Sequence, residues 1–198
     1  GNLQWHSDLS SDHNDIGNKI ITDKDGSIYI TGTTEGNLDG SSLTNTKDIF
    51  LSKFDNKGRD QWTRQLTSYE EDYGYSLDID SQGSIYITGA SYGDLENKTN
   101  SGYEDAFVSK FNGDGEHQWS ELIGTEAPDG AYSIAIDSED FVYITGYTKG
   151  NLDGQINNGY ADVAFISKLD SNGKNQWTRL INHKYRTWNY GKAITTSS

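Results

Sequence analysis

Apolar and polar residues alternate with a period of two along short stretches of the chain, a pattern typical of half-buried β-strands. In residues 75–79, Leu77 and Ile79 fall on one face and polar side chains on the other. Residues 106–111 carry apolar side chains on both faces, which predicts a strand covered on both sides. No stretch shows the 3.6-residue apolar period of a helix, so the sequence predicts an all-β protein. Two further strands are predicted at 84–88 and 118–123.

Tight turns separate these strands. Residues 80–83 and 112–115 combine Asp or Asn with Gly, which are the residues that reverse a chain between antiparallel neighbours. A loop of about 15 residues joins the second strand to the third. Four antiparallel strands linked in this way form one propeller blade. A β-solenoid is the alternative architecture, although its rungs are shorter and lack Asp-x-x-Gly hairpins.

The whole unit recurs at an interval of 57 residues. Ile-Tyr-Ile-Thr-Gly at 28–32 and 85–89 returns as Val-Tyr-Ile-Thr-Gly at 142–146. One such unit cannot bury its own hydrophobic faces, so neighbouring units must stack. The predicted fold is an all-β, β-propeller-type array of four-stranded antiparallel blades, with about three complete blades plus terminal half-blade strands. The tryptophans that end a repeated Gln-Trp pair are expected at equivalent buried or half-buried positions where blades meet: Trp62, Trp119 and Trp177.

The repeat divides a single body, residues 1–198, into blades. Either the chain is part of a larger propeller or several copies complete one another. Unpaired edges of the terminal strands invite pairing, so we expect another copy, or missing parts of a longer parent, to meet them. The absence of Met, even at position 1, supports the expectation of a longer parent. The predicted segments are 1–14 (last strand of a preceding blade), 15–71, 72–128 and 129–186 (blades), and 187–198 (first strand of a next blade).

The repeated residues resemble a known family. The run 73–89, the stretch Gly102 to Phe111 and Trp119 are similar to the bacterial seven-bladed β-propeller repeat family (SBBP repeats), as are 47–54 and 161–169. The resemblance implies a propeller belonging to a large secreted or cell-surface bacterial protein. It implies no catalytic residues.

Composition excludes several functions. The net charge of −14 argues against a nucleic-acid partner, because such affinity comes largely from clustered Lys and Arg. No apolar stretch approaches the roughly 20 residues that span a bilayer, so no membrane insertion is predicted. Without Cys there is neither a disulfide framework nor a thiolate site.

Aspartates recur in the first turn of every blade, at Asp23, Asp80 and Asp137, with Asp25 beside the first. Clustered carboxylates are ligands that calcium prefers, so calcium is the one cofactor that the sequence suggests. The alternative is turn formation, in which Asp bonds its own backbone. No segment matches a complete EF-hand loop.

The long loops also repeat and are expected to stand together on one rim of the array, where exposed loops on a rigid scaffold carry function. Aromatic residues in or beside them would provide a platform for a glycan. Plain solvated loops are the alternative. The candidate binding residues are Asn37, Asp39, Tyr92, Asp94, Glu96, Tyr103, Asn151, Asp153 and Tyr160.

Three functional hypotheses follow. The first is a non-enzymatic scaffold of a secreted or cell-surface bacterial protein that presents its loops to a protein or glycan, because repeated surfaces favour multivalent display over a single asymmetric active site. The second is part of a polysaccharide-acting enzyme, which could be calcium-dependent. The third is a purely structural spacer.

Overall fold

The computed structural model describes residues 4–40, 46–158, 161–181 and 188–197, and the secondary structure it contains there is β-strand. The all-β prediction is confirmed. The strands are β1 Asp15–Thr22, β2 Ile28–Thr34, β3 Asp48–Phe54, β4 Asp60–Leu66, β5 Asp72–Ile79, β6 Ile85–Ser91, β7 Asp105–Phe111, β8 His117–Ile123, β9 Asp129–Ile136, β10 Val142–Thr148, β11 Val163–Leu169 and β12 Asn175–Ile181. In these residues no helix is long and apolar enough to cross a membrane.

The strands form three four-stranded antiparallel sheets, β1–β4, β5–β8 and β9–β12, each ordered as in the sequence. The first strands of neighbouring sheets contact one another, and the sheets stack as blades of an open, partial propeller. The predicted fold class is therefore confirmed.

Side-chain hydrogen bonds reinforce the centre of each blade. In the second blade the Thr88 hydroxyl donates to the carbonyl of Phe107 at 2.5 Å, and Ser109 and Ser120 share a hydrogen bond of 2.7 Å. Equivalent bonds recur in the other two blades. Buried hydroxyls without partners would cost free energy, so these pairs explain why polar residues recur inside otherwise apolar strands.

Two hydrophobic cores lie between the blades, one between the first and second and one between the second and third. The three expected tryptophans are all half-buried. Trp62 packs on Gly115, and Trp119 packs on Gly173. Each of these glycines lies in the hairpin between the third and fourth strands of the next blade. The large indole thus fills the space that a missing side chain leaves, and neighbouring blades fix each other's position.

Each first strand contains a β-bulge at the same repeat position. The register of β5 against β6 shifts between Gly74 and Ser76, so Tyr75 is the extra residue. Asn18 in β1 and Tyr132 in β9 occupy the same position. A bulge leaves one residue outside the ladder and redirects its side chain. The bulges therefore project one side chain per blade from the innermost strand.

The terminal segments differ from the predicted half-blades. Residues 4–14 and 188–197 form no strand. The second segment nevertheless follows the third blade, where Gly191 donates its N–H to the Gly146 carbonyl at 2.8 Å. Among the described residues neither segment is paired in a strand ladder, and an isolated strand is not stable by itself.

Candidate functional site

Six tyrosines form a continuous aromatic surface at the inner edge of the blades, called here the tyrosine cluster. Neighbouring rings in it have centroids 5.4–6.2 Å apart. This is the spacing of favourable stacked and edge-to-face pairs. The cluster runs from the second blade, across the third, to the C-terminal segment. Its members are Tyr73, Tyr75, Tyr92, Tyr132, Tyr147 and Tyr190.

The bulges of the first strands build the centre of this cluster. Tyr75 and Tyr132 are the bulged residues of β5 and β9, and their rings lie 5.5 Å apart across the blade interface. Tyr190 follows Tyr132 at the repeat interval and continues the row, while the first blade carries Asn18 there. The row of rings is thus a consequence of the repeat itself.

The tyrosine cluster faces solvent. Tyr92 is 41% exposed and Tyr190 is 38% exposed, while the other four are half-buried. Trp188, which precedes Tyr190 by two residues, is 74% exposed. Contiguous exposed aromatic surface of this kind marks interaction sites more often than isolated apolar side chains do.

Carboxylates border the rings. Tyr147 donates its hydroxyl to Glu104 at 2.9 Å, Tyr190 donates to Asp162 at 2.8 Å, and Tyr73 donates to Glu71. Burial, together with Glu104, raises the pKa of Tyr92 to about 12. Burial also raises the pKa of Tyr75 and Tyr147 above the usual value. The hydroxyls are therefore neutral donors at neutral pH, and three of them donate to carboxylates.

Two lysines already lie against this surface. Lys47 Nζ is 5.3 Å from the ring centroid of Tyr73 and donates to its hydroxyl at 3.1 Å. Lys192 Nζ is 3.6 Å from the centroid of Tyr132 and 4.8 Å from that of Tyr190. Cations within about 6 Å of a ring centroid are attracted by its quadrupole.

Among the predicted loop residues that the structure describes, Tyr92 alone joins the tyrosine cluster. The acidic and amide side chains instead close their own loops or tie them to the blade. Asp39 accepts the N–H of Gln65 at 2.9 Å, and Asp153 accepts from the Asn175 side chain at 2.9 Å, both toward the outer strand. The others contact residues nearby. The side chains of Asn37, Asp94 and Asn151 accept the backbone N–H groups of Gly40, Asn100 and Asn157, in that order. A carboxylate oxygen of Glu96 lies 3.8 Å from His117 Nδ1.

Of the two remaining predicted aromatic residues, Tyr103 is described by the structure, and no ring contact joins it to the tyrosine cluster. Tyr103 is 68% exposed in the loop before β7. Tyr160 lies outside the described residues. The leucines of the loops are more informative, because Leu95 and Leu152 are buried in the two interblade cores and anchor their loops there.

The repeated turn aspartates make the same contacts in each blade. Asp80 accepts the N–H groups of Gln82 and Ser84 at 2.9 and 2.8 Å and the hydroxyl of Tyr86 at 3.1 Å, with Lys110 Nζ at 3.5 Å. Asp23 and Asp137 accept the same set of donors. Burial alone would raise the pKa of Asp23. The N–H groups of Ser27 and Asp25 have the opposite effect, and with them the pKa lies below its usual value.

Calcium binding stays a prediction for the turn aspartates Asp23, Asp25, Asp80 and Asp137. Asp25 donates its N–H to Asp23 in the first turn. Among the described residues, no group of three or more His, Cys, Asp or Glu side chains is placed to hold a metal ion. Because calcium takes six to eight oxygen ligands, and the Asp80 oxygens already accept donors, calcium binding there would have to compete with the turn.

A substitution tests how much Asp80 contributes to stability as a turn residue. We expect Asp80→Ala to lower the free energy of unfolding by about 2–3 kcal/mol, because several hydrogen bonds to a buried charge are lost. Asp114→Ala, at an exposed position in another turn, is the control and should change little. Urea denaturation measures both.

We also expect millimolar calcium to leave the melting temperature of the unchanged chain as it is. A rise in melting temperature that a chelator reverses would instead show binding.

Buried carboxyl groups form a second repeated feature, at the start of the first strands. Asp72 is fully buried, and its carboxyl group accepts the N–H of Ser68 at 2.7 Å and the hydroxyl of Ser91 at 2.5 Å. Its backbone N–H donates to the carbonyl of Lys47 in the preceding blade. Burial, with a contribution from Asp48 across the interface, raises the pKa of Asp72 to about 7. The equivalent Asp129 has its pKa raised by burial to about 6.

The sequence interpretation missed five of the six clustered tyrosines. Their signal was present in the repeat, because Tyr75, Tyr132 and Tyr190 share one register. An alternating pattern assigns Tyr75 to an ordinary strand face, however, and does not reveal the bulge that turns its ring out of the ladder.

Comparison with known proteins identifies the fold family. The family described as Beta-propeller repeat (SBBP) matches residues 4–39, 61–96 and 118–153, more than half of the chain. Regulatory protein FlaEY of Caulobacter vibrioides is 28% identical over 186 residues, which cover 85% of this chain and 19% of that protein. An uncharacterized WD repeat-containing protein of Acanthamoeba polyphaga mimivirus is 22% identical over 187 residues, covering 75% of this chain and 14% of that protein. The chain thus spans less than a fifth of either relative's length. It belongs to the β-propeller repeat family.

Proposed function

We propose that this chain is a non-enzymatic scaffold of a secreted or cell-surface bacterial protein. We further propose that its tyrosine cluster, at the inner edge of the blades, binds a protein or a glycan. The observation that carries the proposal is the tyrosine cluster, a solvent-facing aromatic surface that spans two blades and the C-terminal segment. Aromatic rings supply large contact area at low cost in conformational entropy, which suits a recognition surface.

The repeated chemistry supports a scaffold rather than an active site. The Tyr–Asp bond at the first turn recurs in all three blades, and a lysine of the third strand pairs with the Asp in the second and third blades. Catalysis needs one asymmetric constellation of groups. The Caulobacter relative is named a regulatory protein, which is consistent with a binding role.

The proposal of a secreted or surface location rests on the family resemblance. Fractionation of the source bacterium, followed by immunodetection of the parent protein, tests it. Signal confined to the cytoplasmic fraction would contradict this part of the proposal and leave the binding function open.

A panel that measures binding and turnover together tests the binding function. Neutral and acidic oligosaccharides and short peptides of differing charge are presented to the chain in a biosensor, and the polysaccharides are also assayed for new reducing ends and unsaturated products. We expect saturable binding of at least one ligand class without product formation. Product formation would favour a polysaccharide-acting enzyme, and the absence of any binding would favour a structural spacer.

A further inference from the structure

We propose that the tyrosine cluster binds the lysine or arginine side chains of a basic polypeptide segment. This inference rests on the proposed binding function and names its ligand. It requires that the surface attract cations, that it have room for a cation from outside, and that its geometry suit a peptide.

The chain's own lysines show that the surface attracts cations. Lys192 Nζ lies 3.6 Å from the centroid of Tyr132, and Lys47 Nζ lies 5.3 Å from that of Tyr73. These are positions in which a cation is held by the negative face of a ring. The two lysines lie toward opposite ends of the tyrosine cluster, so ammonium groups pack against rings of two different blades.

The middle of the cluster combines rings with a carboxylate. Tyr75 stacks between Tyr73 and Tyr132, and Glu104 lies close enough to influence the pKa of both Tyr75 and Tyr92. Among the residues described, no lysine or arginine lies over the ring of Tyr75 or Tyr92. Because Tyr75 lies between two rings, a cation from outside would contact the exposed ring of Tyr92, beside Glu104.

Charge selects the ligand. Lys47 pairs with Glu71 at 3.3 Å, which leaves Glu104 and Asp162 beside the tyrosine hydroxyls, in a chain of net charge −14. Such a field raises the local concentration of cations and repels anions. It therefore disfavours acidic glycans and nucleic acids and favours a positively charged segment.

The spacing of the rings suits an extended peptide. Alternate side chains of an extended strand lie on one face, about 6.6–6.8 Å apart. The centroids of Tyr92 and Tyr73 are 6.2 Å apart. A basic residue over Tyr92 would thus bring the next alternate side chain to Tyr73, where it would compete with Lys47.

The test uses a peptide of alternating lysine and serine, the same peptide with acetylated lysines, and a panel of neutral oligosaccharides. Isothermal titration is carried out with the chain and three variants. We expect the lysine peptide to bind, the acetylated peptide to bind at least tenfold more weakly, and affinity to fall as salt is raised. Glu104→Gln and Tyr92→Leu should each weaken binding about threefold to tenfold. Tyr103→Leu, an exposed tyrosine outside the cluster, is the matched control and should change little.

Several results would overturn the inference. Equal affinity for the acetylated peptide would show that charge is not recognised, and an equal loss in Tyr103→Leu would place binding elsewhere. Binding of oligosaccharides but not of the lysine peptide would reject this inference and leave the proposed function intact. Melting curves of the variants check folding, and because Tyr92 is 41% exposed we expect Tyr92→Leu to fold.

Discussion

We expect Gly89→Ala to destabilise the protein by at least about 3 kcal/mol. Gly89 ends the repeated Tyr-Ile-Thr-Gly segment and lies opposite Gly74, next to the bulge. A Cβ at this position would overlap the carbonyl oxygen of Tyr73 and lie 2.9 Å from the Phe107 ring. Backbone atoms of a paired strand cannot move aside without breaking ladder bonds, so the overlap is relieved only by loss of pairing.

Urea denaturation of the purified variant measures this loss. Gly113→Ala is the matched control, because a Cβ there meets no atom closer than 3.7 Å, and its stability should stay within about 0.5 kcal/mol of the parent chain. A Gly89→Ala variant as stable as that control would show that the first and second strands are not as closely apposed as the bulge requires.

Asp72→Asn is expected to change the pH dependence of stability. Burial raises the pKa of Asp72 from 3.8 to about 7 in the folded protein, so the folded state holds a proton that the unfolded chain releases. The stability contributed by this group is therefore complete below pH 4 and is lost as the pH rises toward 7. The difference of about 3 pH units corresponds to at most about 4 kcal/mol.

Asparagine removes that titration and can keep the contacts. Its oxygen can accept the N–H of Ser68, and its amide can donate to Ser91, whose hydroxyl already lies 3.0 Å from the Gly93 carbonyl. Chemical denaturation at pH 4 and pH 8 measures the effect. We expect the variant to gain stability relative to the parent chain as the pH rises, whereas Asp114→Asn should not. A difference that is constant with pH would contradict the raised pKa.

The fold could be predicted from the sequence because the repeat carries redundant information. The alternation around Leu77 and Ile79, the turn of residues 80–83 and the recurrent Trp119 position each indicate the same four-stranded unit, and three copies agree. The terminal segments were the exception, because the pattern of residues 4–14 does not reveal whether a partner strand is present.

The candidate site was harder to predict, because it depends on backbone geometry and on contacts between blades. Tyr92 was recognised from its loop, but the ring contact of Tyr75 with Tyr132 joins residues of two blades and requires a bulge in each. Asp39 and Asp153 looked like free loop carboxylates, yet each bonds a residue of the fourth strand. Composition identifies such side chains as polar and does not say which of them are already engaged.

An NMR titration of the chain, labelled with 15N at its tyrosines, with the lysine–serine peptide tests whether this scaffold binds through its tyrosine cluster. We expect the amide signals of Tyr73, Tyr75, Tyr92 and Tyr132 to shift together. The signals of Tyr29, Tyr86 and Tyr143, which bond the turn aspartates, should stay in place. Shifts confined to these three tyrosines, or to Tyr103, would show that the peptide binds elsewhere.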